Sequence, residues 1–199
     1  MNQSRNHLRQ IAVTAIMAAL AFLLMLLEFS VPLVPGFLKF DFSDLPAFLT
    51  SFAISPWAGV TVELLKNVLH LPFSATSGVG ELANFLIGAA MVLPAGWIYL
   101  RHRTRKGASV GAVIGTLAAG LLSIPVNYFI TYPFYTNFMP MDAILGAYQV
   151  IIPSADTLLK ALLFVNLPFT VVKGIVNLLI TFLIYKPLSP LLKGRQKKA

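Results

Sequence analysis

The residues of this chain that can do chemistry are few and stand in short groups among hydrocarbon. Asn166, Thr170, Lys173 and Asn177 fall at i, i+4, i+7 and i+11, one stripe of a helix. The stripe supplies amides, a hydroxyl and one ammonium, which means hydrogen bonds and a positive charge but no nucleophile beside a base. At 1.5 Å per residue, Lys173 lies on the order of 10 Å in from the nearer end of its apolar segment. Asn and Thr on its face, with Gly174 beside it, favour a polar cavity over a side chain that snorkels to the surface.

Other groups make similar demands. Glu81 begins a second apolar segment and Asn84 follows one turn later. Glu81 is equally placed to be a plain partner of its helix dipole. An unpartnered buried amide costs about 1–3 kcal/mol, so Asn84 needs a hydrogen bond. Asn127, inside the end of a third segment, needs one too. Tyr128, Tyr132 and Tyr135 read as an interfacial aromatic belt rather than a ligand box. The stretch "GFLKFDFSDLPAF", Gly36 to Phe48, sets Lys39, Asp41 and Asp44 among four phenylalanines. Asp44 is positioned to N-cap a helix beginning near Leu45 and Pro46. Glu63 and Lys66, three apart, either neutralise each other or face a cavity with Asn67 and His70.

Several catalytic chemistries are excluded. The chain has no cysteine, which removes disulfides, thiolate catalysis and Cys-type metal sites. It has no G-x-x-x-x-G-K-[ST] and no H-E-x-x-H, and His7, His70 and His102 are scattered. Ser51, Ser55 and Ser123 sit in no G-x-S-x-G elbow. An intramembrane enzyme is thereby disfavoured, and no cofactor or metal is expected.

The elements that position these groups belong to a membrane protein. Of 199 residues 57% are hydrophobic and 11% charged, and the mean hydropathy is +0.80. Runs free of Asp, Glu, Lys and Arg extend from Gln10 to Leu27, Leu82 to Leu100 and Gly107 to Met141, each long enough to cross roughly 30 Å of hydrocarbon. The first is too long for a signal-peptide core and reads as a retained helix. The net charge of +8 gathers in three short clusters, Arg5 to Arg9, Arg101 to Lys106 and Lys193 to Lys198. Such clusters mark cytoplasmic ends rather than a nucleic-acid surface.

If all three clusters are cytoplasmic, an even number of spans separates each from the next. That parity requires the segment from Leu45 to Leu71 to be two short helices turning at "SPWAG", where Pro56 disfavours helix at Ser55. The expected fold is therefore an all-α integral membrane protein, a single domain of six transmembrane helices with both termini cytoplasmic. The spans fall at about 10–34, 45–55, 57–71, 81–100, 108–132 and 167–186, with an external loop over 133–166 placed like a lid. The amides, Lys173 and several rings then converge in the outer half, which suits a flat, hydrogen-bonding molecule of little charge. The spans lack the internal symmetry of a free-standing secondary transporter, so transport would draw energy from a partner. Ala15 and Ala19 form a small-x-x-x-small pair for close helix approach, either to a partner or to a neighbouring span.

"GFLKFDFSDLPAF", "ELLKNVLH", "SGVGELANFLIG", "NYFITYPFY" and "PFTVVKG", in this order over most of the chain, resemble the riboflavin-binding S components of energy-coupling factor (ECF) vitamin transporters. The resemblance implies a six-helix S-component fold in the bacterial cell membrane and capture of riboflavin as the transported ligand, not as a cofactor. It implies a loop wall of Leu38, Lys39, Phe40, Asp41 and Phe42, with Asn127, Asn166 and Lys173 bonding the flavin edge or ribityl chain and Asn137 competing with Asn127 for its role. Glu81 and Asn84 would frame the pocket, and Thr170 stands where the family pattern has an amide. Ala15 and Ala19 would dock on a scaffold membrane subunit coupled to two ABC ATPases. An S component for thiamine or biotin is the nearest alternative.

Overall fold

The computed structural model describes residues 2–193; the basic cluster expected to mark the C-terminal cytoplasmic end lies, from Gly194 onward, outside the described residues. The helices are α1 (Asn2–Leu26), α2 (Asp44–Ala53), α3 (Pro56–His70), α4 (Val79–Arg101), α5 (Arg105–Val126), α6 (Tyr132–Tyr135), α7 (Met141–Gln149), α8 (Leu158–Ala161) and α9 (Leu167–Lys193). Between α1 and α2, the two-residue strands β1 (Phe29–Ser30) and β2 (Lys39–Phe40) pair antiparallel and pin the intervening loop.

Among the described residues, four helical stretches are long and apolar enough to cross a membrane: Asn6–Leu26, Val79–Arg101, Arg105–Tyr135 and Leu158–Tyr185. The segment from Leu45 to Leu71, predicted from charge parity to be two short helices, forms α2 and α3, of 10 and 15 residues, shorter than these four. Their turn is built as the sequence requires. Ser55 is extended, its hydroxyl accepts a hydrogen bond from the Ala58 amide at 3.1 Å, and Pro56 occupies the first helical position, where no donor is missed.

Asp44 does not cap α2. Ser43 holds the cap position without a side-chain bond to the helix amides, and Asp44 lies inside the first turn with its carboxylate turned to Lys66. An ammonium in an apolar surrounding competes for a carboxylate more strongly than a backbone amide does. Every α2 residue from Asp44 to Phe52 is buried. On α3 the face of Gly59, Glu63, Lys66, Asn67 and His70 points inward, whereas Trp57, Leu64, Leu65, Val68 and Leu69 are exposed. This is the reverse of a soluble amphipathic helix and suits lipid outside and a polar interior.

The main core gathers Met17, Ala18 and Ala21 of α1, Phe48, Leu49 and Phe52 of α2, Met91, Val92 and Ala95 of α4, Ala112 and Ala119 of α5, and Leu178 of α9. Helices α4 and α5 run closest where Gly111 and Gly115 face them: a Cβ at Gly111 would lie 2.6 Å from the Ala95 carbonyl, and one at Gly115 would overlap the Met91 carbonyl. With α1 packed inward through Met17, Ala18 and Ala21, Ala15 and Ala19 remain exposed on its flank.

Two boundaries differ from those predicted. The helix of α5 continues through a π-turn at Asn127–Thr131 into α6 and ends at Tyr135, and α8 runs through a second π-turn at Leu162–Asn166 into α9. The connection expected over 133–166 is thereby confined to 136–157, with α7 inside it. Each π-turn lies just ahead of a proline, Pro133 or Pro168, whose ring crowds the preceding turn and which lacks a donor. A widened turn accommodates the ring without breaking the helix. Replacement of Gly115 by leucine should force α4 and α5 apart and lower the thermal midpoint in detergent, at a cost of about 1–3 kcal/mol. An unchanged midpoint would show that the two helices have slack at this crossing.

Candidate functional site

A cavity of about 300 Å³ opens between the loop after α1, the start of α4, the α5–α6 junction and the first turns of α9. The first loop contributes Phe37, Leu38, Lys39 and Asp41 to its wall, and α9 contributes Phe169, Thr170 and Lys173. Both π-turns face it, one through Asn127 and Thr131, the other through Asn166.

Beneath the loop lies a buried network of charge. Lys173 Nζ donates to Asp41 Oδ2 at 2.7 Å, and the Ser43 amide donates to Asp41 Oδ1 at 2.8 Å. Lys66 Nζ donates to Asp44 Oδ1 at 2.6 Å and Ser43 Oγ at 2.8 Å, and stands 2.8 Å from Glu63 Oε2. Glu63 and Lys66 thus meet, but Lys66 holds a second carboxylate as well. Neither Glu63 oxygen accepts a hydrogen bond among the described residues. Asn177, the last member of the stripe on α9, donates to the Asp41 and Lys173 carbonyls at 3.3 and 3.1 Å and so ties the loop backbone to the helix. Burial alone would raise the Asp41 carboxyl, but the charges of Lys173 and Lys66 outweigh it and hold it down at about 2. The stabilisation from this carboxylate is complete above its ordinary value of 3.8 and fades only as pH falls toward 2.

Glu81, in the first turn of α4, is more than a dipole partner. Its carboxylate contacts His70 Nδ1 at 2.9 Å and accepts from Ser74 Oγ at 2.7 Å, while its side chain lines the cavity. Asn84 Oδ1 accepts from Asn67 Nδ2 at 3.5 Å, and Asn127 Nδ2 donates to the Ser123 carbonyl at 2.8 Å.

Behind Asn166 is a polar triangle that sequence spacing did not suggest. Asn166 Nδ2 donates to the Tyr132 hydroxyl at 3.2 Å, the Tyr148 hydroxyl donates to Asn166 Oδ1 at 2.5 Å, and the two hydroxyls bond to each other. Tyr132 is 1% exposed, so it is no member of an interfacial belt; Tyr128 is 40% exposed, and Tyr135 lines the cavity. Burial pushes the Tyr148 hydroxyl above the usual range, which keeps it a donor. Phe37 packs edge-on against both rings, with centroids 6.1 and 5.6 Å away.

The structure brings Leu38, Lys39, Asp41, Glu81, Asn84, Asn127, Asn166, Thr170 and Lys173 to one cavity and leaves Phe40 and Phe42 out of its wall. Phe40 instead packs edge-on against Phe169 and Phe42, and Phe29 backs the group. The β1–β2 pairing turns Phe40 inward to this cluster, whereas Lys39, on the other face, reaches Ser30 Oγ at 2.8 Å. Asp41, despite its loop position, is 2% exposed. Asn137 is exposed and bonds the Phe134 carbonyl, so Asn127 alone of that pair reaches the cavity. Helix α7 does not cover the cavity; it braces the wall through Ile144 and Tyr148. Glu28, Phe73, Thr131 and Phe169 line it unforeseen, whereas His70 lines it from the polar face of α3, one of the two placements that face allowed.

A family described as ECF transporter, substrate-specific component, matches residues 9–185. Riboflavin transporter RibU of Staphylococcus aureus is 34% identical over 97% of this chain and 96% of its own length. Riboflavin transporter FmnP of Bacillus subtilis is 34% identical over 92% and 93%. A solved structure of the S component of a bacterial ECF transporter superposes with a TM-score of 0.75 at 32% identity, covering 94% of this chain and 99% of the other.

The charge network sets a stability test. Lys66→Met leaves the Asp44 and Glu63 carboxylates buried without their counter-ion, a loss of about 3–5 kcal/mol. Thermal unfolding in detergent should show the drop, partly recovered when Glu63→Gln is added, and a wild-type melt for Lys66→Met would contradict the assigned pairing.

Proposed function

We infer, for a chain that belongs to the substrate-specific components of ECF transporters, that the cavity binds riboflavin and that the protein carries it inward when docked on an energising module. The observation that carries this reading is the pairing of ring-lined walls, from Phe37 and Phe169, with cavity-facing amides and the Thr131 hydroxyl, which has no hydrogen-bond partner among the described residues. A flat tricyclic ligand with a hydrogen-bonding edge and a polyol tail fits both demands. The names of the two relatives agree with it. The protein does no covalent chemistry and belongs in the bacterial cell membrane.

In this reading Asn127, Asn166 and Lys173 bond the flavin's polar edge or ribityl chain. Glu81, Asn84 and Thr170 frame the pocket. Leu38, Lys39 and Asp41 form the loop wall, while Phe40 and Phe42 support it from behind. Helices α2 and α3 act as the two short spans that complete six, with both termini cytoplasmic; the three basic clusters support this orientation. The chain has no P-loop, so ATP hydrolysis falls to two ABC ATPases held by a scaffold membrane subunit. Ala15 and Ala19, exposed on α1, form the docking face for that scaffold.

Purified protein should quench riboflavin fluorescence at one-to-one stoichiometry, with thiamine and biotin in excess leaving the quench untouched; a preparation that ignores riboflavin would refute the flavin assignment. Ala15→Trp should abolish uptake in cells expressing the energising module while riboflavin binding persists. Loss of both would mean that this flank packs internally.

A further inference from the structure

The hydrogens of the triangle behind Asn166 can be counted. Tyr132 and Tyr148 each bring one hydroxyl donor and Asn166 brings two amide donors, making four. The ring of three hydrogen bonds consumes three, one from each member, as Tyr148 to Asn166, Asn166 to Tyr132 and Tyr132 to Tyr148. Reversing the ring, with the amide flipped, consumes the same three. In either sense the one unspent donor is the second N–H of Asn166. Asn166 alone of the three lines the cavity, and all three are at most 2% exposed, so that hydrogen has no ready outlet except the ligand.

We propose that Tyr132 and Tyr148 are positioning residues for ligand recognition: together they lock the Asn166 amide so that it presents a single N–H donor to an acceptor on the ligand, such as a flavin carbonyl. This rests on the reading of Asn166 as a riboflavin contact and adds to it a sense of direction and a dependence on α7. The amide sits at the end of a π-turn, where the widened backbone would otherwise leave its torsion loosely held. Two hydroxyls from separate elements, α6 and α7, fix it, and the edge-on contacts of Phe37 tie the same two rings to the first loop. The acceptor chosen by the cavity at this point is therefore set by a helix that contributes nothing to its wall.

A double-mutant cycle on riboflavin affinity, read by fluorescence quenching in the full-length protein, tests this. Asn166→Ala should weaken binding. Tyr148→Phe, which keeps the ring and removes the hydroxyl, should weaken it about fivefold to tenfold, the worth of one hydrogen bond. The double variant should bind no more weakly than Asn166→Ala alone. Ile144→Ala, a packing change on the same helix, should instead multiply its loss with that of Asn166→Ala, which separates positioning from general loosening of α7. Tyr132→Phe supplies the same cycle from the other corner of the ring should Tyr148→Phe not fold. If the losses of Tyr148→Phe and Asn166→Ala multiply, or if Tyr148→Phe binds like wild type while Asn166→Ala does not, the positioning role is overturned. If Asn166→Ala binds like wild type, the contact reading itself fails, and this inference with it.

Discussion

The fold depends on the pairing of five ionisable groups, three acids and two lysines, inside an apolar bundle. Asp41, Asp44, Glu63, Lys66 and Lys173 come from a loop, α2, α3 and α9, and every one of their charges would be costly alone at that depth. Contacts at 2.6 to 2.8 Å offset the loss of water only while all four elements stay in register. The hydrocarbon around them drives no helix association by itself, because lipid tails are as apolar as leucine. Polar pairing and close small-residue contact then do what burial does in a soluble core. The cavity is built on this clamp, since Asp41, Asp44 and Lys173 are at once members of the network and part of the wall.

A second constraint acts along the helices. Pro133 and Pro168 lie within long helical stretches that must keep their backbone groups bonded in the membrane. The π-turns ahead of them absorb the misfit, and each brings an asparagine, Asn127 or Asn166, to the cavity. The irregular backbone therefore lies where a polar cavity can tolerate it, and the side chains it displaces reach the cavity wall.

Much of this was legible in the residues. The stripe of Asn166, Thr170, Lys173 and Asn177 is periodic, and periodicity survives into structure. The Ser55-Pro56 turn is local chemistry, and it formed as such. What failed depended on distance. Asp44 suits a capping role within its own turn, but its partner Lys66 lies 22 residues away. Tyr132 looked like part of a belt because nothing near it in sequence hinted at Tyr148 and Asn166. Phe40 and Phe42 shared a loop with true wall residues, and only the β1–β2 pairing decides which side chains face the cavity. The span ends moved because proline ordinarily stops a helix, and the π-turns that let it continue have no spacing signature.

Lys173 faces the cavity already paired with Asp41. An ammonium held 2.7 Å from a carboxylate acts on its surroundings as a dipole, not as a free charge. Its pull dies away within a few ångströms instead of reaching out over the roughly 10 Å that salt would screen. The pair therefore acts on what is already inside the cavity and does not itself draw charged molecules from the medium.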